Sequence, residues 1–446
     1  MSEQTAKSGI WNYKLYGLSL PYFLLITVVV LAATFMGVLP SGMAGAFLLM
    51  IVLGTILQEI GDKTPIINSY LGGGAIVIIF GVGLMQYFGL FPESVVKSVD
   101  AFFKPTGAFL DFYIAALITG SILGMNRKLL MKAAARYFPA IFGAIIVSFA
   151  FAMAIGAITG YGVIKTLLLI ALPIMGGGMG AGAVPLSKIF ESAGSMTAAE
   201  AISIMTPAVA IGNALSIVMG GLVVKMIKGK ANGQGQLIAK GVDPREMEIS
   251  DDMKVARDKI DYRNLGIGLL VSCAFFAFGY IVAYLWNQLG TGISIHAYAW
   301  MIITVSVFKI FQLLPEKYEI ACYQWFQFVM KNLTGALLVG IGLCYLDLGT
   351  VIDSFSLTYL VLCLVTVIGA FVGAGIVGKF VGFYPVESGI TAGLCMSNMG
   401  GTGDVAVLSA ADRMELMPFA QISSRLGGAI ILIIGSIMLS TLGSLL

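Results

Sequence analysis

Apolar stretches about as long as a bilayer is thick recur from Leu18 almost to the C-terminal residue, and that recurrence decides the class of fold. A helix rises about 1.5 Å per residue, so roughly 20 apolar residues carry it across the hydrocarbon core. Such stretches lie near 17–38, 42–60, 67–90, 107–125, 137–158, 198–227, 264–288, 296–314, 328–348, 356–383 and 417–445. Hydrophobic residues make up 58% of the chain, charged residues only 11%, and mean hydropathy is +0.95. A soluble domain carries roughly 25% charged residues. The surplus of apolar surface needs lipid to cover it. The chain therefore reads as an all-α polytopic membrane protein with about 11 transmembrane helices.

Two further segments, near 161–192 and 386–413, are apolar but broken by glycine clusters. Their placement follows from charge, because Lys and Arg concentrate in cytoplasmic loops. The polar stretch from Lys225 to Arg263, the basic loop at Asn126–Lys128 and the polar N-terminal tail all belong inside. Eleven spans satisfy all three, with the N-terminus inside and the C-terminus outside, if each broken segment enters and leaves on one face. Both are then re-entrant hairpins. The opening MSEQTAKSGIWNYK lacks an apolar core followed by a small-residue cleavage site, and reads as a retained tail.

The broken segments also repeat. GGMG at 177–180 continues as AGAVPLS, and GGTG at 400–403 continues as DVAVLS. Downstream, TPAVAIGNALS from Thr206 matches MPFAQISSRLG from Met417. Upstream, AALITGSILGM (115–125) resembles GALLVGIGLCY (335–345). Three matches in one order describe two halves of opposite orientation. The organisation is a tail (1–16), an extra helix (17–40), a first repeat (41–227), a cytoplasmic linker (228–262) and a second repeat (263–446).

Inverted repeats with glycine-broken segments at matching places mark secondary transporters. Irregular backbone cannot face lipid, where each unsatisfied N–H or C=O costs several kcal/mol, but it can line a protein-walled, wet cavity. Half-helix N-termini attract anions and freed carbonyls attract cations.

Few charged residues fall in the apolar segments. Arg425 sits inside the last span, where a guanidinium needs a partner or a wet site. It suits a substrate carboxylate, which it can grip bidentately; the alternative is a structural ion pair with Asp404, Asp412 or Glu415. Ser424 aligns with Asn213, and both either serve the site or simply hydrogen-bond between helices. Asn398 can donate to a carboxylate, accept a cation or form a turn. Asp404 is expected to compensate charge or cap the returning half-helix. Asp412 and Arg413 are expected in solvent at the cytoplasmic exit. Asp111 touches a cation or caps its helix. Lys309, Lys165, Lys331, Asp347 and Glu59 lie near span ends, where long side chains snorkel, and His296 reads as interfacial.

Other classes are excluded. There is no GxxxxGK[ST] and no HExxH, and GGMGAG lacks the strand and acid of a dinucleotide site. One histidine, five scattered cysteines and a net charge of +3 offer no transition-metal cluster, no disulfide framework and no nucleic-acid surface. The chain reads as a transporter and not an enzyme, with an anion channel as the alternative of another class.

IMGGGMGAGAVPLS (174–187), ITAGLCMSN (390–398) and GGTGDVAVLSAADRMELMPFAQISSRLGG (400–428) resemble the bacterial 2-hydroxycarboxylate transporter family over nearly the whole chain. The family holds sodium–citrate symporters, malate symporters and malate/lactate or citrate/lactate exchangers. The resemblance implies a homodimer in the bacterial inner membrane, with a static part and a mobile part working as an elevator. It implies substrate binding by Arg425, Ser424, Asn398, Thr402 and the glycine loops, including Gly180, Gly401 and Gly403. Cation sites would use Asn398, Ser424 and backbone oxygens around Ile174, Gly176, Cys395 and Met396.

The chain departs from the family's citrate symporters at three places. Met179 stands where Asn is typical, Met399 stands where Arg is typical, and Pro105 and Thr106 stand where an acid is typical, with Asp111 nearby. One guanidinium and no second one suits a dicarboxylate. L-malate is therefore expected over citrate, with citrate symport and malate/lactate exchange as alternatives. Oxygen donors without a well-placed histidine favour Na⁺ as the coupling ion, with H⁺ as the alternative, and no other cofactor is expected.

Overall fold

The structure, a computed structural model, describes residues 13–65, 67–68, 73–103, 108–125, 127–238, 260–290 and 295–446. Side-chain surroundings are described for these except at 127–135, 230, 354, 401, 402, 415 and 418. The chain divides into two compact units, Met1–Asn68 with Gly73–Asp111 and Lys331–Leu346, and Ser69–Gly72 with Phe112–Met330 and Asp347–Leu446.

In the first unit a two-residue antiparallel pair, Lys14–Leu15 against Leu18–Ser19, leads into α1 (Leu20–Phe35). Next come α2 (Met43–Lys63), α3 (Gly74–Tyr87), α4 (Glu93–Phe103) and the first turn of α5 (Phe109–Leu123). Small residues let backbones close. A Cβ on Gly61 of α2 would stand 2.5 Å from the Gly74 Cα, and one on Gly54 would stand 2.8 Å from the Gly335 carbonyl. Helix α4 has no counterpart among the expected spans. It is amphipathic, with Val95, Val99, Phe102 and Phe103 buried and Glu93 and Lys97 outside.

The second unit holds the glycine-broken segments. It runs through α6 (Arg127–Ile158), α7 (Val163–Thr166), α8 (Leu172–Ile174), α9 (Val184–Ser192) and α10 (Ala198–Met226). After the linker come α11 (Tyr262–Gln288), α12 (Ala297–Ile310), α13 (Glu316–Cys344, whose residues from Lys331 onward belong to the first unit), α14 (Leu348–Ser354) and α15 (Leu357–Phe380). The chain ends in α16 (Pro385–Ser388), α17 (Gly401–Ala410), α18 (Met417–Ile422) and α19 (Gly428–Leu442). Four π turns join the short pieces, at Leu167–Ala171, Met179–Ala183, Gly389–Leu394 and Ser423–Gly427.

Helices α6 and α15 cross closely because glycine faces glycine. A Cβ on Gly373 would lie 2.1 Å from the Gly143 oxygen, and Ser148 Oγ donates to the Thr366 carbonyl at 2.9 Å. Helix α10 starts with a reciprocal cap. Thr197 Oγ1 accepts from the Glu200 N–H, and the Glu200 carboxylate accepts from the Thr197 N–H at 2.9 Å.

Among the described residues seven helices are long and apolar enough to cross a membrane, covering the spans read at 42–60, 137–158, 198–227, 264–288, 328–348, 356–383 and 417–445. The spans read at 17–38, 67–90, 107–125 and 296–314 correspond to shorter apolar helices: α1, α3, α5 and α12. Lys309 corrects the expectation of snorkelling. It is 3% exposed, pairs with Glu319 at 2.6 Å and donates to the Leu123 carbonyl at 2.7 Å, closing the end of α5. His296 caps α12 by accepting the Tyr298 N–H on Nδ1, and Asp347 caps α14 in the same way. The region of Pro105 and Thr106 lies outside the described residues, as does linker 239–259.

Candidate functional site

Each broken segment is a pair of helical arms joined by a glycine loop. The first arm of the first hairpin is α7, its π turn and α8; the second arm is the π turn from Met179 and then α9. The second hairpin repeats the plan with α16 and its π turn, the loop 395–400, and α17. The loops turn where only glycine turns without strain. Gly177, Gly178 and Gly400 have φ of +80°, +102° and +69°.

The two loops touch. A Cβ on Gly178 would lie 2.7 Å from the Met399 oxygen, and one on Gly400 would lie 3.2 Å from the Gly177 oxygen. The first loop also nests against the last helix, since a Cβ on Gly428 would stand 2.7 Å from the Gly176 oxygen. Two helical arms thus begin at one place, at Met179 and Gly401. Each N-terminus carries partial positive charge from its unpaired N–H groups.

Polar side chains converge beside this contact. Asp404, in the first turn of α17, is fully buried and accepts from Asn398 Nδ2 at 3.0 Å and Ser424 Oγ at 2.8 Å. Asn398 Oδ1 accepts the Gly400 N–H at 2.7 Å. Asn213 Oδ1, from α10, accepts the Met399 N–H at 3.0 Å. Asn213 and Ser424 therefore both hold the second hairpin, from two different helices. Asp404 bridges its own hairpin and the last span through Asn398 and Ser424.

Arg425 lies in the π turn Ser423–Gly427, with its guanidinium carbon 6.0 Å from the Phe326 ring centre. It keeps partial exposure, as do Met399, Gly180 and Ala181, whereas Asn398, Ser424, Cys395, Met396, Ile174, Gly176 and Met179 are buried. Gly403 packs within the cluster, where a Cβ would meet Asn213 Oδ1 at 2.7 Å. The surroundings of Gly401 and Thr402 lie outside the described residues. Asp111 belongs to the first unit, in the first turn of α5.

Two groups were not singled out by sequence. Tyr137, fully buried on α6, donates to the Phe419 carbonyl at 3.1 Å and shares a 2.7 Å hydrogen bond with Ser423 Oγ. It pins the helix start that carries Ser424 and Arg425. Glu387, on α16, is also fully buried and pairs with Arg413 at 3.3 Å. Arg413 is therefore not solvated as expected; it is 8% exposed, because its carboxylate partner lies inside the fold.

A partly exposed arginine, next in sequence to the Ser424 carbonyl that packs on the first loop, can together with two helix N-termini hold a carboxylate, and buried carboxylate, amide, hydroxyl and carbonyl oxygens can hold a hard cation. Among the described residues no three His, Cys, Asp or Glu side chains gather as a transition-metal site requires.

Residues 15–437 match the model of the 2-hydroxycarboxylate transporter family. The citrate/sodium symporter of Salmonella typhimurium (strain LT2) is 38% identical over 98% of this chain and 97% of its own length. Malate transporter MleP of Lactococcus lactis subsp. lactis is 39% identical over 96% of this chain and 97% of its own. Citrate transporter CitP of Leuconostoc mesenteroides subsp. mesenteroides is 37% identical over 96% and 94%.

Proposed function

This chain belongs to the 2-hydroxycarboxylate transporter family, and on that premise we propose that it is a Na⁺-coupled symporter that carries L-malate in preference to citrate. It is a multi-pass membrane protein that transports small carboxylates. The observation that carries the substrate reading is the meeting of the two glycine loops at Gly178 and Met399, with Arg425 partly open beside them. Two helix N-termini and one guanidinium supply positive potential for the two carboxylates of malate. A third carboxylate brought out of water needs a further charged partner, and a buried unpaired charge costs several kcal/mol. Met179 and Met399 provide none. Arg425, Ser424, Asn398, Thr402, Gly180, Gly401 and Gly403 form the substrate site in this reading.

Na⁺ coupling is supported by the hard oxygen donors beside the loops: Asn398 Oδ1, Ser424 Oγ, the Asp404 carboxylate and the carbonyls of Ile174, Gly176, Cys395 and Met396. Asp404 is the group a coupled proton would ride on, so it separates the two ions experimentally. The hairpins are re-entrant, the halves are inverted repeats, and the protein works as a homodimeric elevator in the bacterial inner membrane, N-terminus inside and C-terminus outside. Proteoliposomes holding the purified protein should take up labelled L-malate when Na⁺ is higher outside, with citrate a weaker competitor. Uptake that follows a pH gradient and ignores Na⁺ overturns the ion, and citrate competing better than malate overturns the substrate.

A further inference from the structure

The linker leaves α10 at Met226 and begins with a segment that is anything but loose. Leu237 is 1% exposed, and its carbonyl accepts the Tyr384 N–H at 2.9 Å. Ile238 forms an antiparallel bridge with Phe383. A Cβ on Gly233 would strike the Tyr384 ring at 2.3 Å. The segment lies against the residues that lead into the second hairpin.

One carboxylate gathers three pieces of chain there. Glu387, in the first arm, accepts the Gly233 N–H at 2.8 Å and the Gly235 N–H at 3.3 Å. Its other partner is Nε of Arg413, three residues past the end of α17 in the second arm, at 3.3 Å. Arg413 also donates to Asn232 Oδ1 at 3.0 Å and to the Asp412 carbonyl at 2.8 Å. Strap, first arm and second arm thus share one buried ion pair. A buried charge is tolerated only when its hydrogen bonds are filled, and here the linker backbone fills part of that need. Removing the strap would leave Glu387 short of donors. An ordinary tether between two halves needs none of this.

We infer that residues 229–238 are a working part of the second hairpin: through Asn232, Gly233 and Gly235 they lock Glu387 to Arg413, fix the feet of the two arms, and so position the loop 395–400 that carries Asn398, with the start of α17. Glu387 and Arg413 are positioning residues and touch no substrate. The contact is expected to persist through the transport cycle, because parting the pair while either charge stays buried leaves that charge uncompensated. The transport readouts below rest on the proposed carboxylate function; a hydrogen-exchange readout does not.

The test uses the full-length protein in proteoliposomes. Loss of a charge-assisted hydrogen bond is worth about tenfold or more in an equilibrium. Arg413→Ala should therefore raise KM for L-malate about tenfold while the maximal rate falls less, and should speed amide exchange over 395–403 by a similar factor. A disulfide between Ile238→Cys and Phe383→Cys, placed in the Arg413→Ala protein, should return KM and exchange most of the way. The same disulfide in an otherwise unaltered protein should leave transport running. Unchanged exchange over 395–403 in monodisperse Arg413→Ala protein overturns the inference, and so does a disulfide that stops transport in the unaltered background. If the unaltered protein carries no hydroxy acid, the functional reading fails, while the exchange comparison still decides the strap.

Discussion

Replacing Arg425 by lysine keeps the charge and removes the planar fork. Arg425 sits in a π turn, partly exposed, with its guanidinium over Phe326 at 6.0 Å. A hydrogen bond to a charged group contributes about 1.5–3 kcal/mol, and each 1.4 kcal/mol is tenfold in affinity. One arm of a bidentate carboxylate grip lost to lysine therefore weakens L-malate binding by about ten- to hundredfold. The hydrogen bonds that Asp404 accepts from Asn398 and Ser424 do not involve residue 425 and should survive the change. Calorimetric titration with L-malate in saturating Na⁺, alongside thermal unfolding, separates the two effects. Unchanged affinity in Arg425→Lys removes the residue from the substrate site. A large fall in melting temperature would instead assign it to a structural ion pair.

Met399→Arg should restore a second guanidinium where the loops touch and raise citrate affinity about tenfold relative to malate, read by competition against labelled malate. Asp404→Asn removes the buried carboxylate and should raise the Na⁺ concentration for half-maximal uptake about tenfold or more; a variant that loses only a pH dependence points to proton coupling. Gly178→Ala combines a glycine-only φ of +102° with a Cβ 2.7 Å from the Met399 oxygen, and should cost about 2–5 kcal/mol and abolish transport. Gly194→Ala, at φ +69° with open space around it, should cost only about 1 kcal/mol and leave transport intact.

Hydropathy made the long helices legible, because each is a run of apolar residues whose sum alone marks it. At α1, α3, α5 and α12 the helices are shorter than the apolar runs that contain them. Hydropathy missed α4, because a window average erases the alternation of Val95, Val99, Phe102 and Phe103 with polar neighbours. The two glycine loops were readable from the strings GGMG and GGTG, and the strings downstream align Asn213 with Ser424. What each one bonds was not: Asn213 reaches Met399 from another helix, and Ser424 reaches Asp404 across a helix boundary. Arg413 looked solvated because its partners are distant in sequence; Glu387 precedes the glycine loop, and Asn232 lies in the linker. Tyr137 and the π turns leave no pattern of their own, since π turns arise where packing admits one extra residue.

Gradient-coupled carriage of a hydroxydicarboxylate can be measured directly in a single assay. Purified protein in sealed proteoliposomes is given labelled L-malate with an inward Na⁺ gradient and no pH gradient. Saturable accumulation above the external concentration is expected, collapsing when Na⁺ is equalised and reduced by Arg425→Lys. Uptake that never exceeds equilibrium, or that proceeds equally without Na⁺, contradicts gradient-coupled carriage.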